Sequence, residues 1–471
     1  MSSLADATPL VALGPLDGRY RDAVAPLIDH LSEPALNRTR IHVEIEWLIH
    51  LTDRQVVSGV RRLTDEEKKR LRAVVDTFDS AAIEELAETE RVTQHDVKAI
   101  EYFLKKRLTE IAPAPEDAGL AELIHFCCTS EDINNISYAL MIQGAVGHVW
   151  LPRARDLVAN VEQMARDLRA VPLLAHTHGQ PATPTTIGKE LAVLAWRLDR
   201  QLRRIEVAEF LGKLNGATGT FGAHLAAVPD ADWPTISREF VEGLGLTWNP
   251  LTTQIESHDW QSELYADLAR FNRILHNLCT DVWSYISMGY FAQVRGQGTV
   301  GSSTMPHKVN PIRFENAEAN LEVSNALLDV LASTLVSSRL QRDLTDSSMQ
   351  RNIGTAFGHS LLAIDNVQRG LAGLDAVPEA MAADLDANWE VLGEPVQSAM
   401  RALAAQGVSG MEEPYERLKE LTRGRRIGQK DLVGFVRGLG LPAEVEERLA
   451  ALTPQSYVGL APDLVDYLDR S

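Results

Sequence analysis

Residues 296–311, GQGTVGSSTMPHKVNP, stand between two stretches of helical patterning and hold almost nothing that a core would bury. Gly296, Gly298 and Gly301 let backbone N–H groups approach a ligand closely, and Ser302, Ser303 and Thr304 add hydroxyl donors. Lys308 supplies a positive charge and Asn310 an amide able to hold a carboxylate oxygen, while Pro306 and Pro311 stiffen the far side. A segment of this make-up can close over an anionic substrate and exclude water. A polar interhelical connection of no consequence has the same composition, so composition alone leaves both readings open. The glycines also satisfy G-x-G-x-x-G with Glu318 downstream, but a dinucleotide fold needs a strand before that loop and an amphipathic helical pattern stands there instead.

Other chemistry-bearing groups are scattered. His178 lies in LLAHTHGQPATPTTIGKE, just before a helical pattern for which Thr185 or Thr183 is the expected cap; a loop imidazole there can give or take a proton near neutral pH. His176 and His178 form H-x-H, yet neither HExxH nor a Cys–His spacing supplies a third metal ligand. Thr129 and Ser130 precede an acidic first helical turn; Thr129 with Asp132 reads as a cap, and the same geometry can grip an anion. His95 and Lys98 sit close to another helix start, which Asp96 is able to cap. Arg342, Ser347, Ser348 and Arg351 occur in LQRDLTDSSMQRN, and Arg19 and Tyr20 in DGRY. Together these many anion-binding groups fit a phosphate-bearing polycarboxylate.

The chain that must position them has 471 residues and a formal net charge of −19, which argues against non-specific binding to nucleic acid or to an anionic membrane surface. Cys127, Cys128 and Cys279 cannot make a disulfide framework, the first twenty residues lack a secretory pattern, and no run of eighteen apolar residues occurs. A soluble cytoplasmic protein is expected.

Its dominant pattern is helical. Leu157, Val161, Met164 and Leu168 form one stripe, Leu191, Leu194, Leu198, Leu202 and Ile205 another, and Leu264, Leu268, Phe271, Leu275, Leu278, Val282 and Tyr285 a third. Residues 316–336 and 353–374 look similar, and few segments alternate with period two, so the expected class is all-α without a large sheet. The patterning predicts a helical domain over 1–118, a central bundle over 119–374 and a second helical domain over 375–471. Long bundles expose apolar stripes that partner subunits cover, which predicts a homo-oligomer.

With those residues in view, GSSTMPHKVNP resembles the signature loop of the fumarase/aspartase superfamily of lyases. DGRY, TQHDVKAIEYFLK, FCCTSEDINN, THGQPATPTTIGKE, GKLNGATG, WNPLTTQIESHD and QRDLTDSSMQRN are similar to the superfamily's purine branch in its longer bacterial form. The resemblance implies a three-domain α fold, a homotetramer whose active sites combine loops of three subunits, and no metal or organic cofactor. It implies elimination of fumarate from adenylosuccinate, giving AMP, and from the succinylaminoimidazole-carboxamide ribotide. Ser302 then corresponds to the general base and His178 to the general acid. Lys308, Asn310, Thr129 and Ser130 fall to the succinyl carboxylates. Arg19, Tyr20, Arg342, Ser347 and Arg351, with Ser348 beside them, fall to the phosphate and ribose, and Gln94, His95, Asp96, Gln254 and Asn316 to orienting the base and the succinyl group. His176 stands where relatives usually carry arginine, and Gln94 replaces an asparagine or histidine. Argininosuccinate lyase, aspartase and fumarase share the loop but not DGRY or QRDLTDSS. A non-catalytic recruited structural protein is the alternative of a different class, and the joint presence of Ser302, His178, Lys308 and Asn310 speaks against it.

Overall fold

The computed structural model describes residues 11–293, 309–422 and 427–470. It is an all-α protein, as the periodicity predicts. Among the described residues, strands are confined to four two-stranded pairs. The third stripe lies on the helix Asp259–Ser287, where Leu264, Leu268, Phe271, Leu275, Leu278 and Val282 are buried. The patterns at 316–336 and 353–374 become the helices Ile312–Leu335 and Ile353–Leu371. No helix among the described residues is long and apolar enough to cross a membrane.

The chain forms two compact units. One comprises Met1–Ala154, Gln201–Arg273 and Ala319–Asp365, the other Arg155–Arg200, Ile274–Glu318 and Asn366–Ser471.

In the first unit the helix Glu33–Asp53 starts where the Ser32 hydroxyl accepts from the Ala35 amide at 3.2 Å, with Pro34 in its first turn. Ile41, Val43, Ile45, Trp47, Leu48 and Leu51 are all buried, so the helix is apolar on every side and sits inside the unit. Each such side chain taken from water contributes roughly 2 kcal/mol. Two charges interrupt this run, Arg40 at 1% exposure and Glu44 at 0%. The helix packs against Ser130–Ala145, which buries Ile133, Ile136 and Ala139. Farther along the unit, Trp150 Nε1 donates to Ser360 Oγ (2.9 Å), which donates to Asn272 Oδ1 (2.8 Å). Asn272 Nδ2 in turn donates to Ser324 Oγ at 3.1 Å. These buried polar groups satisfy one another across three stretches of chain, as a dry interior requires.

In the second unit Gly188 lies against the backbone of residues 165–169; a Cβ there would come within 2.5 Å of Arg169 Cα. Trp389, Leu392, Val396, Met400, Leu432 and Val436 belong to a core drawn from residues 389–449.

Two expected caps are corrected. The helix Ile187–Glu206 is capped by Thr186, whose Oγ accepts from the Lys189 amide at 3.2 Å. The Thr185 hydroxyl instead donates to Glu190 at 2.9 Å, and Thr183 donates to Glu394. Before the helix Asp96–Ile111 the cap is His95, whose Nδ1 accepts from the Lys98 amide at 3.2 Å, because His95 has extended backbone while Asp96 is already helical.

Candidate active site

The first unit brings together many of the residues expected at a site. The Thr129–Asp132 arrangement forms as expected. The Thr129 amide donates to Asp132 Oδ2 at 2.9 Å, and the helix begins at Ser130. Asp132 is fully buried, pairs with the equally buried Lys213 at 2.8 Å and accepts the Asn215 and Gly216 amides at 3.0 and 3.1 Å. His125 and Cys127, with φ of 58° and 59°, put two non-glycine residues in the left-handed region just before Thr129. Burial pushes the Cys127 thiol up to about 11 and that of Cys128 well above its ordinary value, so neither offers a thiolate near neutral pH.

One arginine lies at this helix start, and a second, Arg351, lines a pocket with Tyr138 and Met141 farther along the same helix. Arg342 donates to Gln254 Oε1 at 3.2 Å and pairs with Glu131 at 3.0 Å. Gln254 in turn donates to the Ala217 carbonyl at 3.0 Å. Arg351 bonds both the carbonyl and the hydroxyl of Ser347 at 3.1 Å, and reaches Glu33 at 3.3 Å and Asp96 at 3.5 Å. Burial pushes the Asp96 carboxyl up, but Arg40, the Val97 amide and Arg351 outweigh it and hold it below the usual range. His95 is exposed, and Gln94 holds the left-handed C-cap of the preceding helix, with its side-chain amide donating to the Arg91 carbonyl at 2.7 Å. Arg19 lies over the Tyr20 ring, 5.9 Å from its centroid, and the neighbouring Asp17 and Arg21 line a groove with Glu33 and Arg351. Ser348 is exposed beside Ser347. Under them, His258 Nε2 stands 3.5 Å from Asp346 Oδ2, both residues buried, which connects the stretch carrying Gln254 to the helix Thr345–Gln350.

The second unit holds the other set. His176–Thr177 pairs with Gln180–Pro181, leaving His178 and Gly179 as a two-residue turn with φ of 53° and 74°. That geometry fits a type I′ hairpin and leaves the His178 side chain exposed. Asn310 is half-buried, and Asn316 Oδ1 accepts from Asn366 at 2.9 Å. Ser302 and Lys308 lie outside the described residues. Among the described residues no group of three or more His, Cys, Asp or Glu is placed to hold a metal ion.

Sequence reasoning missed Arg40, Glu131 and Asn134, which stand behind the site arginines, and also the Lys213–Asp132 and His258–Asp346 pairs. Arg40 did leave a signal, the one arginine in RIHVEIEWLIH, where Ile41, Val43, Ile45, Trp47, Leu48 and Ile49 mark a run to be buried.

Comparison with known proteins gives these groups a class. Residues 18–323 match the family described as "Lyase", and the fold superimposes on a fumarate lyase from Mesorhizobium with a TM-score of 0.73 at 18% identity, covering 95% of this chain and 97% of that one. The chain is a lyase with that fold. Residues 338–458 match the family described as "Adenylosuccinate lyase C-terminal". Adenylosuccinate lyase of Escherichia coli K12 is 47% identical over 463 residues, covering 98% of this chain and 100% of that protein. The Vibrio cholerae enzyme is 47% identical over 464 residues with the same coverage. The chain belongs to the adenylosuccinate lyase family.

Proposed function

We propose that this enzyme eliminates fumarate from adenylosuccinate, giving AMP, and acts likewise on the succinylaminoimidazole-carboxamide ribotide. The observation that carries the reading is the placement of two arginines along one helix, Arg342 with Gln254 and Glu131 at its start and Arg351 with Ser347 and Asp96 farther along it, on a chain of net charge −19. Full-length likeness to adenylosuccinate lyases supports it.

In the reaction so read, the Ser302 oxygen takes a proton from the succinyl carbon beside a carboxylate. The electron pair left behind is delocalised onto that carboxylate, which then bears a second negative charge. Lys308, Asn310, Thr129 and Ser130 meet that charge with preorganised donors. The pair next forms the C=C bond of fumarate while the C–N bond breaks toward the purine, and His178 gives its proton to the departing nitrogen. Serine is a poor base until its alkoxide is stabilised, which is the role of Lys308 and the amides of 296–311. Arg19, Tyr20, Arg342, Ser347, Ser348 and Arg351 hold phosphate and ribose; Gln94, His95, Asp96, Gln254 and Asn316 orient the base and the succinyl group.

The protein works in this reading as a cytoplasmic homotetramer that binds neither nucleic acid nor membrane. Its central bundle, 119–374, forms the assembly core between domains 1–118 and 375–471, and the exposed Val193, Val323 and Val330 on long helices support such an assembly. Following the ultraviolet absorbance of adenylosuccinate tests the reaction. Loss of the succinyl-purine signal with AMP and fumarate as products is expected; turnover of argininosuccinate or aspartate alone would overturn it.

A further inference from the structure

Arg40 is a charged group buried to 1% exposure in an apolar helix, and taking a guanidinium from water is unfavourable unless its donors are met. Here they are. Nη2 reaches Asp96 Oδ2 at 2.8 Å, Nε reaches Asn134 Oδ1 at 2.9 Å and Nη1 reaches Asn37 Oδ1 at 3.0 Å. The bond to Asn134 fixes which way that amide faces. With Oδ1 turned to Arg40, Nδ2 points the other way and donates to Glu131 Oε1 at 2.8 Å. Each carboxylate is then shared. Asp96 also reaches Arg351 at 3.5 Å, and Glu131, itself 2% exposed, also pairs with Arg342 at 3.0 Å. Arg351, Asp96, Arg40, Asn134, Glu131 and Arg342 thus form one continuous polar chain, buried in the middle and opening at both ends on an arginine of the site.

We infer that Arg40 is a positioning residue for anion binding: through Asp96 at one end and through Asn134 and Glu131 at the other, it sets the placement of Arg351 and Arg342. The inference rests on the reading above that these two arginines hold the phosphate. A residue that merely ties three helices together would, when replaced, loosen the fold and weaken every ligand alike. A positioning residue weakens ligands according to whether they carry the phosphate.

Calorimetric titration of the full-length protein with AMP and with adenosine, which lacks only the phosphate, separates the two. In Arg40→Met the dissociation constant for AMP is expected to rise about tenfold or more and that for adenosine, which keeps the base that Asp96 orients, by no more than about threefold, since hydrogen bonds to charged groups are the ones lost. Arg40→Lys keeps a cation near Asp96 but cannot fork to Asn134, and Asn134→Leu cuts the same link from the other side. Both are expected to weaken AMP by about threefold, acting through Arg342 alone, and they carry the test if circular dichroism finds Arg40→Met unfolded. Equal weakening of AMP and adenosine in folded variants, or unchanged AMP affinity, would overturn the inference. A chain that leaves adenylosuccinate intact, but in which Arg40→Met weakens AMP more than adenosine, would remove the proposed reaction and support the arginine placement.

Discussion

His125 Nδ1 lies 2.6 Å from Glu44 Oε1, and the other oxygen of this fully buried carboxylate accepts the His125 amide at 3.0 Å. Together with the bond from Trp47 Nε1 to the Phe126 carbonyl at 3.1 Å, this holds the left-handed turn that leads into Thr129 and Ser130. The contact has a pH signature. Burial pulls the imidazole down, but the hydrogen bond and charge of Glu44, with the charges of Glu101 and Asp132, outweigh it and raise His125 above its ordinary 6.5. A folded value above the unfolded one means the stabilisation is fully present below pH 6.5 and fades as pH rises through the folded value. The stability difference between wild type and His125→Gln, read by urea denaturation at a series of pH values, should therefore be largest in mild acid, about 3 kcal/mol for a buried carboxylate that has lost its partner, and should shrink on the alkaline side. A difference that grows with pH would contradict this.

Lys213 and Asp132 form a fully buried ion pair behind the same helix start. Lys213→Met leaves Asp132 charged and dry, with only the Asn215 and Gly216 amides and the Thr129 amide to compensate. Urea denaturation should register a loss of about 4 kcal/mol.

Gly219 adopts φ of 73°, and a Cβ there would stand 2.9 Å from the Thr252 carbonyl carbon and from the Thr253 oxygen. Gly219→Ala therefore has to displace the backbone two residues before Gln254. Steady-state kinetics should give a raised KM for adenylosuccinate, and stability should fall by about 2 kcal/mol or more.

Two variants probe the proton transfers. Ser302→Ala should lower turnover by several orders of magnitude, and His178→Gln by about a thousandfold, each with helix content unchanged by circular dichroism. Unchanged turnover would remove that residue from its assigned role.

The helices were legible because stripes such as Leu191, Leu194, Leu198, Leu202 and Ile205 repeat at helical spacing, and burial follows that spacing. Their starts were less so. Whether His95 or Asp96 caps depends on backbone angles, and Thr186 rather than Thr185 on which hydroxyl Glu190 engages, neither of which is written in residue type. The arginines and the amides of the site stood out through the motifs that carry them. Their supports did not, because Arg40 meets Asp96 across 56 positions and Asn134 across 94, and only the folded chain closes those distances.

The turn at His178 and Gly179 has a further consequence. Two backbone rungs, His176 with Pro181 and Thr177 with Gln180, fix the direction in which the His178 Cβ leaves the chain, so that direction is inherited from main-chain twist. A different side chain at His176 leaves that direction in place for as long as the two rungs persist.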